Sequence, residues 1–121
     1  MTALVVVGVG LLGGAGAVAR FVLDGAVASR LGRVFPYGTL AVNLSGALAL
    51  GVLHGAGAGG DALRLVGTGL IGAYTTFSTW TLESHRLGED GRTHLAVANM
   101  LGSLALGLLS AWLGDRIGAR L

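Results

Sequence analysis

The sequence predicts an all-α integral membrane protein with four transmembrane helices, and two observations support that fold class. Hydrophobic residues make up 53% of the 121 residues and charged residues only 12%, against about 25% charged residues in an average soluble domain. Four stretches without Asp, Glu, Lys or Arg are each long enough to cross a bilayer, which takes roughly 17–25 mostly apolar residues. They are residues 2–19, 34–60, 65–82 and 93–114. Little chain remains outside them, so we expect a single domain over residues 1–121.

The first helix is predicted over residues 4–27. It is rich in glycine, and a Gly-x-Gly-x-x-Gly pattern begins at Gly8. That pattern marks a dinucleotide site only inside a strand–turn–helix unit, whereas glycines in a membrane helix allow close helix packing. Arg20 lies in the last turns with Asp24 one turn further on. Arg20 either pairs locally with Asp24 or attracts anions, and the sequence leaves both alternatives open.

The second helix is predicted over residues 37–53, directly after Pro36, which suits a first helical turn. Thr39, Asn43 and Gly46 follow at helical spacing on one face. The Asn43 amide carries both donors and an acceptor. It either joins helices by a hydrogen bond worth about 1 kcal/mol or lines a path. Taken by itself, this residue favours the hydrogen bond between helices.

The third helix, residues 63–87, contains the polar segment Gly72-Ala-Tyr-Thr-Thr-Phe-Ser-Thr-Trp80 near its midpoint. β-Branched residues are poor helix formers, and hydroxyls can bond the backbone in place of its own ladder. We therefore predict a break at the bilayer midplane, where irregular backbone must be buried in protein or line a cavity. The alternative is a regular helix whose hydroxyls bond the preceding turn. Unwound carbonyls at a break can bind a small cation.

The fourth helix, residues 94–113, carries Asn99, Ser103 and Ser110 as one polar stripe. Asn99 and Ser103, together with Thr39, are possible pore-lining residues. No carboxylate stands in the middle of any predicted span. Hydroxyl and amide donors, with the positive edges of aromatic rings, favour a small anion over a cation as the transported species.

Arginine residues are divided almost evenly between the two predicted sides of the membrane. Orientation follows the Lys/Arg asymmetry of short loops, so near equality leaves two alternatives open. The chain inserts in both orientations, which would allow an antiparallel dimer, or one residue of bias or a partner orients it. The basic residues also form no cluster, which argues against nucleic-acid binding. One side holds Arg64, Arg116 and Arg120, and the other Arg30, Arg33, Arg86 and Arg92.

Three segments resemble the bacterial CrcB/Fluc fluoride channels. They are Gly16-Ala-Val-Ala-Arg20, Pro36-Tyr-Gly-Thr-Leu-Ala-Val-Asn-Leu-Ser-Gly46 and Gly72-Ala-Tyr-Thr-Thr-Phe-Ser-Thr-Trp80. The number and spacing of the predicted helices agree as well, so the resemblance covers essentially the whole chain.

The resemblance implies an antiparallel, dual-topology homodimer in the bacterial cell membrane, surrounded by lipid, that exports cytoplasmic fluoride passively. It implies a structural sodium ion at the dimer centre, bound by the backbone carbonyls of Gly72 and Thr75 of each subunit. The anion pathway that it implies consists of Arg20, Asn43, Phe77, Ser78, Thr79 and Trp80.

Trp80 departs from the family pattern, in which the second pore aromatic is usually Phe. The chain could therefore be a non-conducting partner subunit in a heterodimer with a related chain. A small dual-topology multidrug transporter is the other alternative, although it should carry a carboxylate within the first helix and Asp24 lies too near its end. No nucleophile–base pair or metal cluster can be assembled, so we do not expect an enzyme.

Overall fold

The structure is a computed structural model that describes residues 2–121. Within that range all regular elements are helical, and short connections join them. In chain order they are α1 (Ala3–Leu31), α2 (Tyr37–Gly55), α3 (Gly60–Ala62), a first π-helical segment (Leu63–Ile71), α4 (Gly72–Tyr74), α5 (Ser78–Glu89), α6 (Thr93–Val97), a second π-helical segment (Ala98–Gly102) and α7 (Ser103–Gly118).

Three helical runs are long and apolar enough to cross a membrane: Ala3–Leu31, Tyr37–Gly55 and Thr93–Gly118. Their outer surfaces carry large apolar side chains, among them Leu4, which is 82% exposed, and Leu101, which is 65% exposed. Such a surface suits lipid rather than water. The remaining apolar stretch is divided into shorter helices between Gly60 and Glu89, so the count of four spans stays a prediction.

Helix α1 has a defined cap at each end. The Thr2 hydroxyl accepts a hydrogen bond from the Val5 N–H at 3.3 Å, which satisfies one of the free donors of the first turn. The helix continues to Leu31, beyond the expected end at residue 27, and stops at Gly32, whose φ is 81°. Glycine enters this left-handed region without steric penalty, so Gly32 sets the helix end.

Glycines bring neighbouring helices into backbone contact. Helix α2 packs along α7, and a Cβ added at Gly51 would overlap the Ala111 carbonyl, while one added at Gly114 would overlap the Leu48 carbonyl. In α1, a Cβ at Gly16 would overlap a carbonyl of the first π-helical segment. Such close approach is the usual way in which membrane helices gain packing contacts.

The helical backbone is interrupted between α4 and α5. Helix α4 ends at Tyr74, and Thr75 is extended with φ −78° and ψ 157°. Helix α5 begins again at Ser78. The interrupted residues lie beside α2, because a Cβ added at Gly46 would overlap the Thr75 methyl group. The absence of a side chain at Gly46 therefore makes room for the interruption.

Candidate functional site

Asn43 on α2 holds the interrupted segment through both ends of its side-chain amide. Its Nδ2 donates to the Thr76 carbonyl oxygen at 2.8 Å, and its Oδ1 accepts from the Thr76 N–H at 2.8 Å. A backbone group away from water needs a hydrogen-bond partner, and here one side chain serves both groups of a residue outside any helix. Asn43 thus ties Thr76 to α2.

The Thr76 hydroxyl caps the start of α5 by accepting from the Thr79 N–H at 3.2 Å. In a continuous α-helix each N–H bonds the carbonyl four residues earlier. The Thr76 and Thr79 N–H groups would then serve the carbonyls of Gly72 and Thr75. Side chains take both N–H groups instead, so the Gly72 and Thr75 carbonyls lose these helical partners.

Tyr74 braces the residue before the interruption. Its hydroxyl lies 2.8 Å from Ser45 Oγ, and Ser45 Oγ donates its own proton to the Val42 carbonyl at 3.0 Å. The Tyr74 hydroxyl is therefore the donor to Ser45. The Tyr74 ring also covers Gly46, with ring carbons 3.3 and 3.6 Å from the position of an added Cβ. This contact fixes the end of α4 on α2.

A cavity of about 390 Å³, the aromatic cavity, opens beside the interruption. The Phe77 and Trp80 rings meet edge to face in its wall, with centroids 5.2 Å apart and planes at 69°. Phe77 is 74% exposed, so its ring is available to whatever occupies or covers this cavity. The walls include Asn43, Gly72, Thr75, Phe77, Trp80 and Ser103.

A second cavity of about 250 Å³, the arginine cavity, also contacts Thr76. Thr76 lines both cavities, so the two cavities adjoin at this residue. The Thr39 hydroxyl donates to Glu83 Oε1. The lining of the arginine cavity consists of Arg20, Phe21, Asp24, Thr39, Val42, Thr76 and Thr79.

A local pair between Arg20 and Asp24, one of the two alternatives that the sequence left open, does not form in the described range. Asp24 instead pairs with Arg33, with Oδ2 and Nη1 3.8 Å apart. The guanidinium of Arg20 contributes a positive charge to the arginine cavity without an ion-pair partner among residues 2–121. Of the two alternatives open at the sequence level, the local pair is absent from the described range, and attraction of anions stays a prediction.

Asn99 is buried behind the aromatic cavity, with 1% of its surface exposed. Its Nδ2 donates to Ser84 Oγ at 2.7 Å, and its Oδ1 accepts from Ser103 Oγ at 3.1 Å. Its main-chain carbonyl accepts from the Trp80 indole N–H at 3.0 Å. The indole N–H is therefore occupied, and Trp80 presents carbon edges rather than a donor to the cavity.

Apart from Ser78, the structure distributes the expected site residues over three places. The aromatic cavity gathers Asn43, Gly72, Thr75, Phe77, Trp80 and Ser103, the arginine cavity gathers Arg20, Thr39 and Thr79, and Asn99 lies behind the first. Ser78 sits at the first position of α5, with Oγ 3.5 Å from Thr76 Oγ1.

Two residues that the sequence analysis did not single out carry much of this geometry. Thr76 makes hydrogen bonds at the interruption through its main-chain N–H and carbonyl and through its hydroxyl. Glu83 Oε1 accepts a hydrogen bond from the Thr39 hydroxyl. The signal for Thr76 is its place among four hydroxyl residues within the five positions 75–79. Glu83 gave a weaker signal, as a carboxylate within a predicted span.

The comparisons with known proteins agree with one another. The model of the family described as "CrcB-like protein, Camphor Resistance (CrcB)" matches residues 7–115. Fluoride-specific ion channel FluC 2 of Mycobacterium tuberculosis is 54% identical over 117 residues, covering 97% of this chain and 93% of that protein.

Two further relatives carry similar names. FluC 2 of Mycolicibacterium paratuberculosis is 53% identical, covering 96% of this chain and 95% of that protein. FluC 1 of Rubrobacter xylanophilus is 50% identical, covering 88% of this chain and 86% of that protein. These matches confirm the predictions of a multi-pass membrane protein and of a function other than catalysis, and the chain belongs to the CrcB family.

Proposed function

We propose that this protein is a fluoride-specific ion channel that lets cytoplasmic fluoride leave the cell passively. The observation that carries the proposal is its 54% identity, over 97% of its length, to a protein named as a fluoride-specific ion channel. The donors and aromatic rings around the interrupted segment support the same function, since they suit a small anion.

The anion pathway in this proposal runs from the arginine cavity past Thr76 to the aromatic cavity. Arg20 raises the local concentration of anions at its start. Thr39 and Thr79 line the arginine cavity, and Asn43, Phe77, Trp80 and Ser103 line the aromatic cavity. Ser78, whose Oγ lies 3.5 Å from Thr76 Oγ1, joins the pathway in this proposal next to Thr76. Aromatic ring edges carry partial positive charge, so the edges of Phe77 and Trp80 can contact a bare halide where water is scarce.

The proposal includes a structural sodium ion held by the Gly72 and Thr75 carbonyls. The donor chemistry of the chain fits this ion, because both carbonyls have lost their α-helical partners to Asn43 and Thr76. Unwound main-chain carbonyls in discontinuous membrane helices are typical sodium ligands. A bound cation would hold the interrupted segments together and offset the partial negative charge of the main-chain oxygen atoms gathered there.

The working unit in this proposal is an antiparallel homodimer whose subunits insert in opposite orientations. The interruption then lies at the bilayer midplane and at the dimer centre. Irregular backbone does not face lipid within the hydrocarbon region. A second copy over the aromatic cavity would cover the exposed Phe77 ring and the unwound residues together.

Fluoride efflux from liposomes tests the function. We expect the purified protein, reconstituted alone with sodium on both sides, to release fluoride down its gradient and to retain chloride, as read by ion-selective electrodes. Protein-free liposomes give the background. Absence of fluoride efflux from a folded dimer would contradict the homodimeric channel, and efflux restored only by a related chain would identify a partner subunit.

A further inference from the structure

The interruption depends on a competition for backbone N–H groups. A continuous helix through this region would pair the Thr76 N–H with the Gly72 carbonyl and the Thr79 N–H with the Thr75 carbonyl. The first N–H donates to Asn43 Oδ1 at 2.8 Å, and the second to Thr76 Oγ1 at 3.2 Å. Each captured N–H frees one carbonyl, and these are the two carbonyls that the proposed function assigns to sodium.

The two side chains that accept these N–H hydrogen bonds are each held in position by a further contact. The Asn43 amide is fixed by its second bond, from Nδ2 to the Thr76 carbonyl at 2.8 Å. Thr76 is 9% exposed, and its side chain follows the main chain that Asn43 holds. Asn43 therefore accepts the hydrogen bond from the Thr76 N–H and also positions Thr76, whose hydroxyl accepts the one from the Thr79 N–H.

We propose that Asn43 and Thr76 are positioning residues for the sodium ion, because they take the N–H groups that would otherwise close the Gly72 and Thr75 carbonyls into a helix. This inference rests on the sodium site of the proposed function. Neither side chain binds the ion. Asn43 thereby connects the anion pathway that it lines to the cation that stabilises the interruption.

A matched set of variants separates this role from packing. Thr76→Val keeps the shape of the side chain and removes the hydroxyl acceptor, whereas Thr76→Ser keeps the acceptor. Asn43→Leu keeps roughly the volume and removes the amide. Thr81→Val is the control, because the Thr81 hydroxyl donates to the Phe77 carbonyl one turn back at 3.0 Å and captures no N–H.

The measurement is sodium affinity rather than flux. Thermal unfolding of each purified protein is followed while NaCl replaces N-methylglucamine chloride at constant ionic strength, since a ligand of the folded state raises the unfolding midpoint with its concentration. We expect at least tenfold weaker apparent sodium affinity in Thr76→Val and Asn43→Leu. Thr76→Ser and Thr81→Val should stay within about twofold of the wild type.

The outcomes distinguish the inference from the function on which it rests. Wild-type sodium affinity in both Thr76→Val and Asn43→Leu would overturn the inference and leave the sodium site standing. Equal losses in Thr76→Val and Thr76→Ser would also overturn it, because a packing defect would then explain both. A wild type that does not respond to sodium would overturn the site and the inference together, while fluoride efflux still decides channel function.

Discussion

Two regions of this small membrane protein differ in how their backbone is accommodated: the contact between α2 and α7, and the interruption between α4 and α5. Along α2 and α7 the helices are regular, and Gly51 and Gly114 let their backbones touch. Between α4 and α5 the backbone leaves the helix, and side chains replace the missing partners. The difference teaches that small residues supply packing in lipid, whereas polar side chains permit irregular backbone.

The largest expected effect concerns the helix contact. In Gly114→Ala the new methyl group would overlap the Leu48 carbonyl, which belongs to a rigid backbone. Overpacking of this kind costs about 1–3 kcal/mol, so we expect a clear fall in the unfolding midpoint of the purified protein.

Gly102→Ala is the control, because a Cβ at Gly102 meets nothing within 4 Å. A helix interior favours Ala over Gly by roughly 0.5–1 kcal/mol, so this variant should be as stable as the wild type or slightly more. Equal destabilisation of the two variants would show that the glycine contact is not what holds α2 against α7.

The next effect concerns the interrupted region, where we expect function to change without loss of fold. Phe77→Ile removes an aromatic edge from a residue that is 74% exposed, so the fold should persist. Fluoride efflux should fall by at least about tenfold, which corresponds to roughly 1.4 kcal/mol on the barrier.

Phe35→Ile is the comparison variant, because Phe35 packs against Tyr37 with tilted rings, 4.9 Å between centroids, and does not line the aromatic cavity. It should leave efflux close to that of the wild type. If Phe77→Ile conducted fluoride at the wild-type rate, Phe77 would have no part in the pathway.

The smallest effect concerns Trp80. Trp80→Phe keeps an aromatic ring beside Phe77 and removes the indole donor to the Asn99 carbonyl. A hydrogen bond of this kind contributes about 1 kcal/mol to stability, so the unfolding midpoint should fall modestly while efflux stays within about threefold. A loss of efflux as large as that of Phe77→Ile would mean that the indole N–H itself is needed for conduction.

The sequence predicts much of the fold, because composition and glycine content are properties of the whole chain and do not depend on single contacts. The membrane class and the family follow from them and from the segments around Asn43 and Thr75, and the comparisons confirm both. The predicted end of α1 at residue 27 is too early. The helix continues to Leu31 and ends at Gly32, whose positive φ makes the turn.

The sequence does not predict which groups within the site pair with one another. Asn43 was a candidate for either a bond between elements or a path, and it both bonds Thr76 and lines the aromatic cavity. Asp24 pairs with Arg33, which follows the end of α1, rather than with Arg20. Such pairings depend on tertiary approach, which periodicity along one helix does not contain.

The central claim is that side chains, rather than a continuous helix, satisfy the backbone around Thr75 inside the membrane. Solid-state NMR of threonine-labelled protein in sodium-containing bilayers tests it directly, with the Thr75 signal assigned by its loss in Thr75→Ser. We predict Thr75 Cα and Cβ chemical shifts typical of extended backbone, as its ψ of 157° requires. Helical shifts at Thr75 would contradict the claim and remove the basis for both the sodium site and the anion pathway.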